Sequence, residues 1–317
     1  MSSDEPSRGG PPTGEQYVIA HGDAQATVTQ VGATLRGYTV DGCDVIDGFG
    51  LDERSRDGRG QVLAPWPNRL ADGSYRYGGR EVQAPLNEVS RHDAIHGLVR
   101  WSDWSPVAHS ESAVTMAYAI RPQPGYEWRL DLEVTYELDD SGLTVTLHVR
   151  NAGSERAPFG AGFHPYLRLE ADAIDRLDLV IPAASFLESN GPGELQVVTP
   201  VADTPWDFLR LRRIGSTRMD TAFGDLVRGD DRRAVAVLSD PAGGRSVRLW
   251  VDDGFRYLMV YTADQVGQPE RRRQAIAVEP MTCPPDALRT GMDLIELDPG
   301  ESWQASWGLR PESSSAE

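Results

Sequence analysis

Four stretches of the chain set titratable side chains in apolar or Gly/Pro-rich surroundings, where their chemistry departs from that of a solvated group. The first is Gln274–Ala287, QAIAVEPMTCPPDA, in which Glu279 ends an apolar run and precedes a proline. A carboxylate at the end of a buried strand is costly unless it is paired or functional. Desolvation there raises its pKa, which suits a general base; an ion-paired structural glutamate is the competing reading. The second stretch is Pro158–Leu169, PFGAGFHPYLRL, where His164 sits between Phe163 and Pro165 in a run with almost no charge. Such a histidine is either a satisfied core residue or a positioned acid/base, because imidazole titrates near neutrality.

The third stretch, His92–Trp104 (HDAIHGLVRWSDW), carries two histidines four residues apart. On a helix, His92 and His96 would make a metal pair. Gly97 and the strand-like Leu98–Trp101 argue against a helix, and no acidic partner of the HExxH kind is present, so no metal site is expected. Trp101 and Trp104 would suit the C–H face of a sugar, or else belong to the core. The fourth stretch, Leu63–Gly79, places Asn68 and Arg69 after two prolines and a tryptophan. A rigid turn of this kind can present the guanidinium as a fixed fork of donors, although an ordinary solvated turn reads the same way.

The elements that must hold these residues are strands. Ala26–Val31, Ser112–Ile120, Leu130–Leu138, Leu143–Val149, Ala234–Leu238, Ser246–Val251, Tyr257–Tyr261, Ala275–Val278 and Trp303–Leu309 are β-branched or aromatic runs bounded by Gly, Asp and Asn. No helical stripe of three turns stands out, and weak candidates such as Thr204–Arg213 are short. The 32 glycines and 22 prolines are spread along the chain and break long helices. The expected class is all-β, a large antiparallel β-sandwich over residues 16–310, with a disordered arm at 1–15 and a polar tail at 311–317. No fixed-period repeat speaks for a propeller. A site in such a fold lies on loops or on a concave sheet face.

Composition removes whole classes of function. The chain has 317 residues and a net charge of −17, which argues against nucleic-acid and anionic-membrane partners and fits an uncharged substrate. All 31 basic residues are arginine. Schiff-base chemistry and the P-loop lysine are therefore excluded. Cys43 and Cys283 form no CxxC spacing, so free thiols are expected rather than a zinc site or a disulfide framework. There is no GxSxG elbow and no GxGxxG turn. No apolar leader or long apolar run is present, so a cytoplasmic protein is expected.

Read together, these stretches resemble the aldose 1-epimerase (galactose mutarotase) family. The resemblance rests on Asn68-Arg69 with Gly73–Gly79, His96-Gly97 with Trp101, Gly162–Leu167, Met219–Leu226 (MDTAFGDL), Val278–Ala287 and Leu297–Trp303 (LDPGESW), in that order. It implies a β-supersandwich. It also implies roles: Glu279 as general base, His164 as general acid, and His96, Asp220 and Arg69 as sugar-binding residues. The implied reaction interconverts α and β anomers of a free aldohexose by acid/base ring opening and reclosure, without metal or organic cofactor, in a monomer or homodimer. His96-Gly97-Leu98 and HPYLRL depart from the HGG and HxYFNL forms common in that family, which bears on the preferred sugar more than on the reaction. Two alternatives stand beside it. One is an epimerase of a modified or phosphorylated aldose, for which Arg210, Arg212 and Arg213 could supply cations. The other is a carbohydrate-binding protein without catalysis.

Overall fold

The computed structural model describes residues 10–171, 173–188 and 196–313. Residues 1–9 of the expected arm and 314–317 of the expected tail lie outside the described residues. The neighbouring parts of both segments belong to the fold. The Thr13 and Glu15 carbonyls accept N–H groups of Val31 and Gln30, and the last strand, Ser302–Ser313, runs three residues into the segment read as tail. Pro311, Glu312 and Ser313 pair there with Val247, Ser246 and Arg245.

Every pairing between named strands is antiparallel, and two large sheets dominate. The nine-stranded sheet has the order Ser105–His109, Ala113–Ile120, Leu130–Asp139, Gly142–Asn151, Ser302–Ser313, Arg245–Val251, Ala234–Asp240, Asp178–Val180, Arg212–Arg213. Its long strands alternate buried with exposed or half-buried residues, as strands with one face on a core must. The eight-stranded sheet runs Val197–Pro200, Ala183–Glu188, Asp220–Leu226, Tyr257–Tyr261, Ile276–Met281, Gly162–Phe163, Val62–Leu63, with Tyr166–Leu167 also paired to Ile276–Met281. One hydrophobic cluster contains the inner faces of both sheets, including Val145, Leu249 and Trp307 from the first and Phe223, Val260 and Val278 from the second. Phe163 packs on Trp307 at 5.3 Å between ring centroids. The sandwich is thus closed by interdigitated side chains.

The eight-stranded sheet differs from its partner in one respect. Ile276–Met281 is buried at all six positions, so both of its faces are covered. Ile276 and Val278 point into the sandwich core, while Ala277, Glu279 and Met281 occupy the opposite face. Arg69, from the short strand Arg69–Ala71 that pairs with Asp93–Ile95, reaches over that second face toward Asp220. That second face carries the cleft. Helix is confined to single turns such as Ala287–Thr290, and the Thr204–Arg213 stretch forms turns and the short strand Arg212–Arg213.

Candidate active site

A cleft of about 1210 Å³ opens on the second face of the eight-stranded sheet, and Glu279, His164, His96, Asp220 and Arg69 all line it. The register explains why. Glu279 pairs with Met259, and Met259 pairs with Ala222 one strand further on; Asp220 pairs with Tyr261, which pairs with Ala277. Side chains in such cross-strand rows share one face, so Asp220, two residues before Ala222, lies on the same face as Glu279.

His164 reaches Glu279 through a break in the ladder. Gly162 pairs with Met281, and Tyr166 and Leu167 pair with Ala277 and Ile276. Between them His164-Pro165 lies opposite Val278-Glu279. Proline has no N–H to offer a ladder, and here its carbonyl accepts the Val278 N–H at 3.3 Å. The His164 backbone turns to the loop on its other side, donating to Gln61 O and accepting from Gly60 N–H. The imidazole Nε2 then lies 3.4 Å from Glu279 Oε1.

His96 closes the third side. It follows Asp93–Ile95 in a left-handed conformation (φ 65°), as does Gly97 (φ 66°), and a Cβ on Gly97 would lie 2.0 Å from Ala64 O. Only glycine fits that position. The turn sets the His96 ring edge-on to His164, at 5.3 Å between centroids. A helical His92/His96 pair is thereby ruled out: His92 is exposed and bonds Asp72 at 2.9 Å. Among the described residues no cluster of three His, Cys, Asp or Glu side chains could hold a metal ion.

Arg69 heads the strand Arg69–Ala71, and Glu88 grips it through Nε (2.7 Å) and Nη2 (3.1 Å). This two-point ion pair fixes the guanidinium plane, leaving Nη1 3.8 Å from Asp220 Oδ2. Asp220 itself is partly exposed at the cleft wall. Trp101 is half-exposed and lines the cleft, while Trp104 is buried at 1% beside Tyr118. Only one of the two tryptophans can therefore face a ligand. The cations expected from Arg210, Arg212 and Arg213 do not line the cleft. Arg212 is packed over Phe208, and Arg213 is bonded to Asp178. The cysteines are unpaired; Cys283 is buried, whereas Cys43 is half-buried.

The electrostatics follow from burial. Glu279 is 2% exposed, and desolvation with the nearby Asp220 charge pushes its carboxyl well above the usual range, against the opposing pull of Arg69. Burial, followed by the Arg59 charge, pushes His164 down to about 3. His96 is lowered well below its ordinary value by burial and by His164. Burial thus favours the neutral form of all three groups in the free site. Glu279 Oε2, His164 Nδ1 and His96 Nδ1 are buried polar atoms without a hydrogen-bond partner among the described residues. Buried polar atoms in native proteins are nearly always satisfied, so these three are open to hydrogen bonds from water or a bound molecule.

A family model described as aldose 1-epimerase matches residues 15–310. The chain belongs to the aldose 1-epimerase family. It is an epimerase, an isomerase acting on aldoses. It is 33% identical over 290 residues to the uncharacterized protein YihR of Escherichia coli (strain K12), covering 91% of each chain. It is 27% identical over 233 residues to the galactose mutarotase of Homo sapiens, covering 68% of this chain and 66% of that one. The fold is shared with the crystal structure of a GalM/aldose epimerase homologue from C. elegans, with a TM-score of 0.84, 18% identity and coverage of 95% and 99%. Among the described residues no helix is long and apolar enough to cross a membrane.

Glu88, Arg59 and Arg100 are cleft or near-cleft residues that the sequence reading passed over. Glu88 lies in an ordinary polar loop and carries no local signal. Arg59 lies between Gly58 and Gly60, and that glycine bracket is the one trace a sequence could offer of an enclosed arginine. Arg100 sits inside a stretch already singled out, beside Trp101.

Proposed function

We propose that this epimerase is a mutarotase for a free aldohexose such as glucose or galactose, with Glu279 and His164 as its proton-transfer pair. The observation that supports this most is the 3.4 Å contact between the two side chains at the floor of a polar cleft. A single proton shared by the pair rests on Glu279 rather than on His164 in the free enzyme, since burial raises the one and lowers the other. Sugar hydroxyls hydrogen-bonded to Glu279 favour its carboxylate, and the proton passes to His164. The carboxylate then takes the proton of the C1 hydroxyl while the imidazolium protonates the ring oxygen. The C1–O5 bond breaks and the open aldehyde forms. Rotation about C1–C2 exposes the other carbonyl face. In reclosure His164 takes back the proton from the C5 hydroxyl as that oxygen attacks C1, and Glu279 returns its proton to the C1 oxygen. His96, Asp220 and Arg69 bind hydroxyls, and Trp101 offers an aromatic face.

Polarimetry tests the proposal. Freshly dissolved α-glucose and α-galactose should approach anomeric equilibrium faster with the protein than in weak buffer alone, and Glu279→Gln should abolish the gain. Sugar binding without acceleration of any aldose would leave the carbohydrate-binding reading instead.

One observation favours a second reading, an aldose with an anionic substituent. Arg100 lines the cleft over the Trp101 ring at 5.6 Å, its buried Nε has no partner, and among the described residues no carboxylate lies within ion-pair distance of it. A guanidinium so placed matches a phosphate or sulfonate group. On this reading a 6-phosphorylated or 6-sulfonated glucose has a higher kcat/KM than glucose, and Arg100→Gln removes the advantage.

A further inference from the structure

Behind the cleft lies a layer of buried charge that the proton-transfer scheme does not use. Arg59 is 1% exposed. Its Nε donates to Asp47 Oδ2 at 3.0 Å and its Nη1 to Asp57 Oδ2 at 2.9 Å, while Nη2 has no hydrogen-bond partner among the described residues. The guanidinium lies over the Tyr166 ring, 4.6 Å from its centroid. On its other side Tyr166 stacks nearly parallel on the His164 imidazole, at 5.0 Å and 11°. The Tyr166 hydroxyl is tied to Asp57 O at 3.0 Å, so the loop that carries Arg59 also fixes the ring. A cation, a phenol and an imidazole thus form one stack that ends at Glu279.

The stack is not needed to neutralise Asp47. Arg168 and Arg271 already reach Asp47 Oδ1, at 3.2 and 3.4 Å. Burying a third arginine there, with one amino group unpartnered, is costly for stability alone. The same loop presses on the imidazole from another direction: a Cβ on Gly58 would lie 2.4 Å from His164 Cδ2.

We propose that Arg59 is a positioning residue for His164, acting through the Tyr166 ring to fix the imidazole plane against Glu279 and to hold the ring neutral in the free enzyme. The groups that face His164 are Glu279 from Ile276–Met281, His96 from the 96–97 turn, Tyr166 from its own segment, and the Arg59, Arg100 and Arg69 charges. Arg59 is the largest of the charges acting on it, after burial itself. Removing the Arg59 charge raises the imidazole pKa. For a unit charge one aromatic ring away, at an effective dielectric of about 20, the shift is on the order of one pH unit.

The inference rests on His164 being a proton-transfer group, but the titration of its ring can be read without turnover. In histidine-labelled protein the His164 ring resonances are assigned by their loss in His164→Asn and followed against pH by NMR. Arg59→Met is expected to raise the midpoint by about one unit, and Arg59→Lys, which keeps the charge, to leave it near the wild-type value. An unchanged midpoint in Arg59→Met overturns the electrostatic part whatever the enzyme's substrate proves to be. Should Arg59→Met fail to fold, Arg59→Gln carries the same measurement. For the positioning part, Tyr166→Leu should lower kcat at least about tenfold with KM changed less than about twofold, and Tyr166→Phe, which keeps the ring, should retain kcat. A Tyr166→Leu enzyme that melts earlier but keeps its kcat overturns that part.

Discussion

Replacing Glu279 with glutamine separates catalysis from folding more cleanly than any other change in this protein. The two side chains are nearly isosteric, and burial and the Asp220 charge push the Glu279 carboxyl well above its ordinary value, which favours the neutral form that glutamine mimics. Glutamine therefore fits the free enzyme but cannot accept a proton. Loss of a positioned general base costs about 10²- to 10⁴-fold in rate. Stability should move the other way. A carboxyl whose folded pKa is raised stabilises the fold fully below its unfolded pKa, and the contribution is lost as pH rises through the folded value. Over that window the wild type loses up to about 1.4 kcal/mol per pH unit relative to Glu279→Gln. For a chain of this length that is about 2 °C in Tm per unit. The assay is polarimetric mutarotation of α-glucose and α-galactose, or of an anionic aldose if that is the better substrate, paired with thermal melts from pH 5 to 8. Two results would refute the reasoning. One is a Glu279→Gln rate within about tenfold of the wild type, too small a loss for a missing base. The other is a Tm gap between the two proteins that does not widen with pH.

His164→Asn should lose activity on a similar scale and flatten the acid side of the stability profile. The folded imidazole pKa is pushed down to about 3 from an ordinary 6.5, so the wild type loses stability as pH falls between those values and the variant loses less of it; melts from pH 6.5 to 4 decide. Gly58→Ala places a methyl 2.4 Å from the His164 ring at a position with φ 80°, which displaces an imidazole held between Tyr166 and His96. It should cut kcat at least about tenfold, and a wild-type kcat would show that the ring is free to move. Trp104→Ala should destabilise by about 3–5 kcal/mol, because its ring is fully packed, whereas Trp101→Ala should change Tm little and raise KM for the sugar. Chemical denaturation and steady-state kinetics on the two variants separate those effects.

Alternation identified the long strands of the nine-stranded sheet, because Leu130–Asp139 and Gly142–Asn151 each bury one face and the period of two survives in the sequence, but it did not reveal the short strands Ser105–His109, Asp178–Val180 and Arg212–Arg213. The apolar run Ala275–Val278 announced a buried strand with Glu279 at its end; the structure carries the strand on to Met281, so that Glu279 lies inside it and both faces are covered. His164 was marked in the same way, by its place between Phe163 and Pro165 in a run with almost no charge. Apolar context is a local property and can be read locally. Contact between distant segments cannot. Nothing in HPYLRL or AVEPM states that Nε2 and Oε1 meet at 3.4 Å; the register of Ile276–Met281 with the two short strands around Pro165 decides it. Nor does the sequence say that Glu88 grips Arg69, that Trp104 rather than Trp101 is buried, or that Arg59 lies behind Tyr166. Each depends on which loops cover the outer face of the sheet. The chain thus determined which residues could exchange protons, and the packing of its two sheets and their covering loops determined which of them face one another, because side-chain chemistry belongs to single residues and distance belongs to the fold.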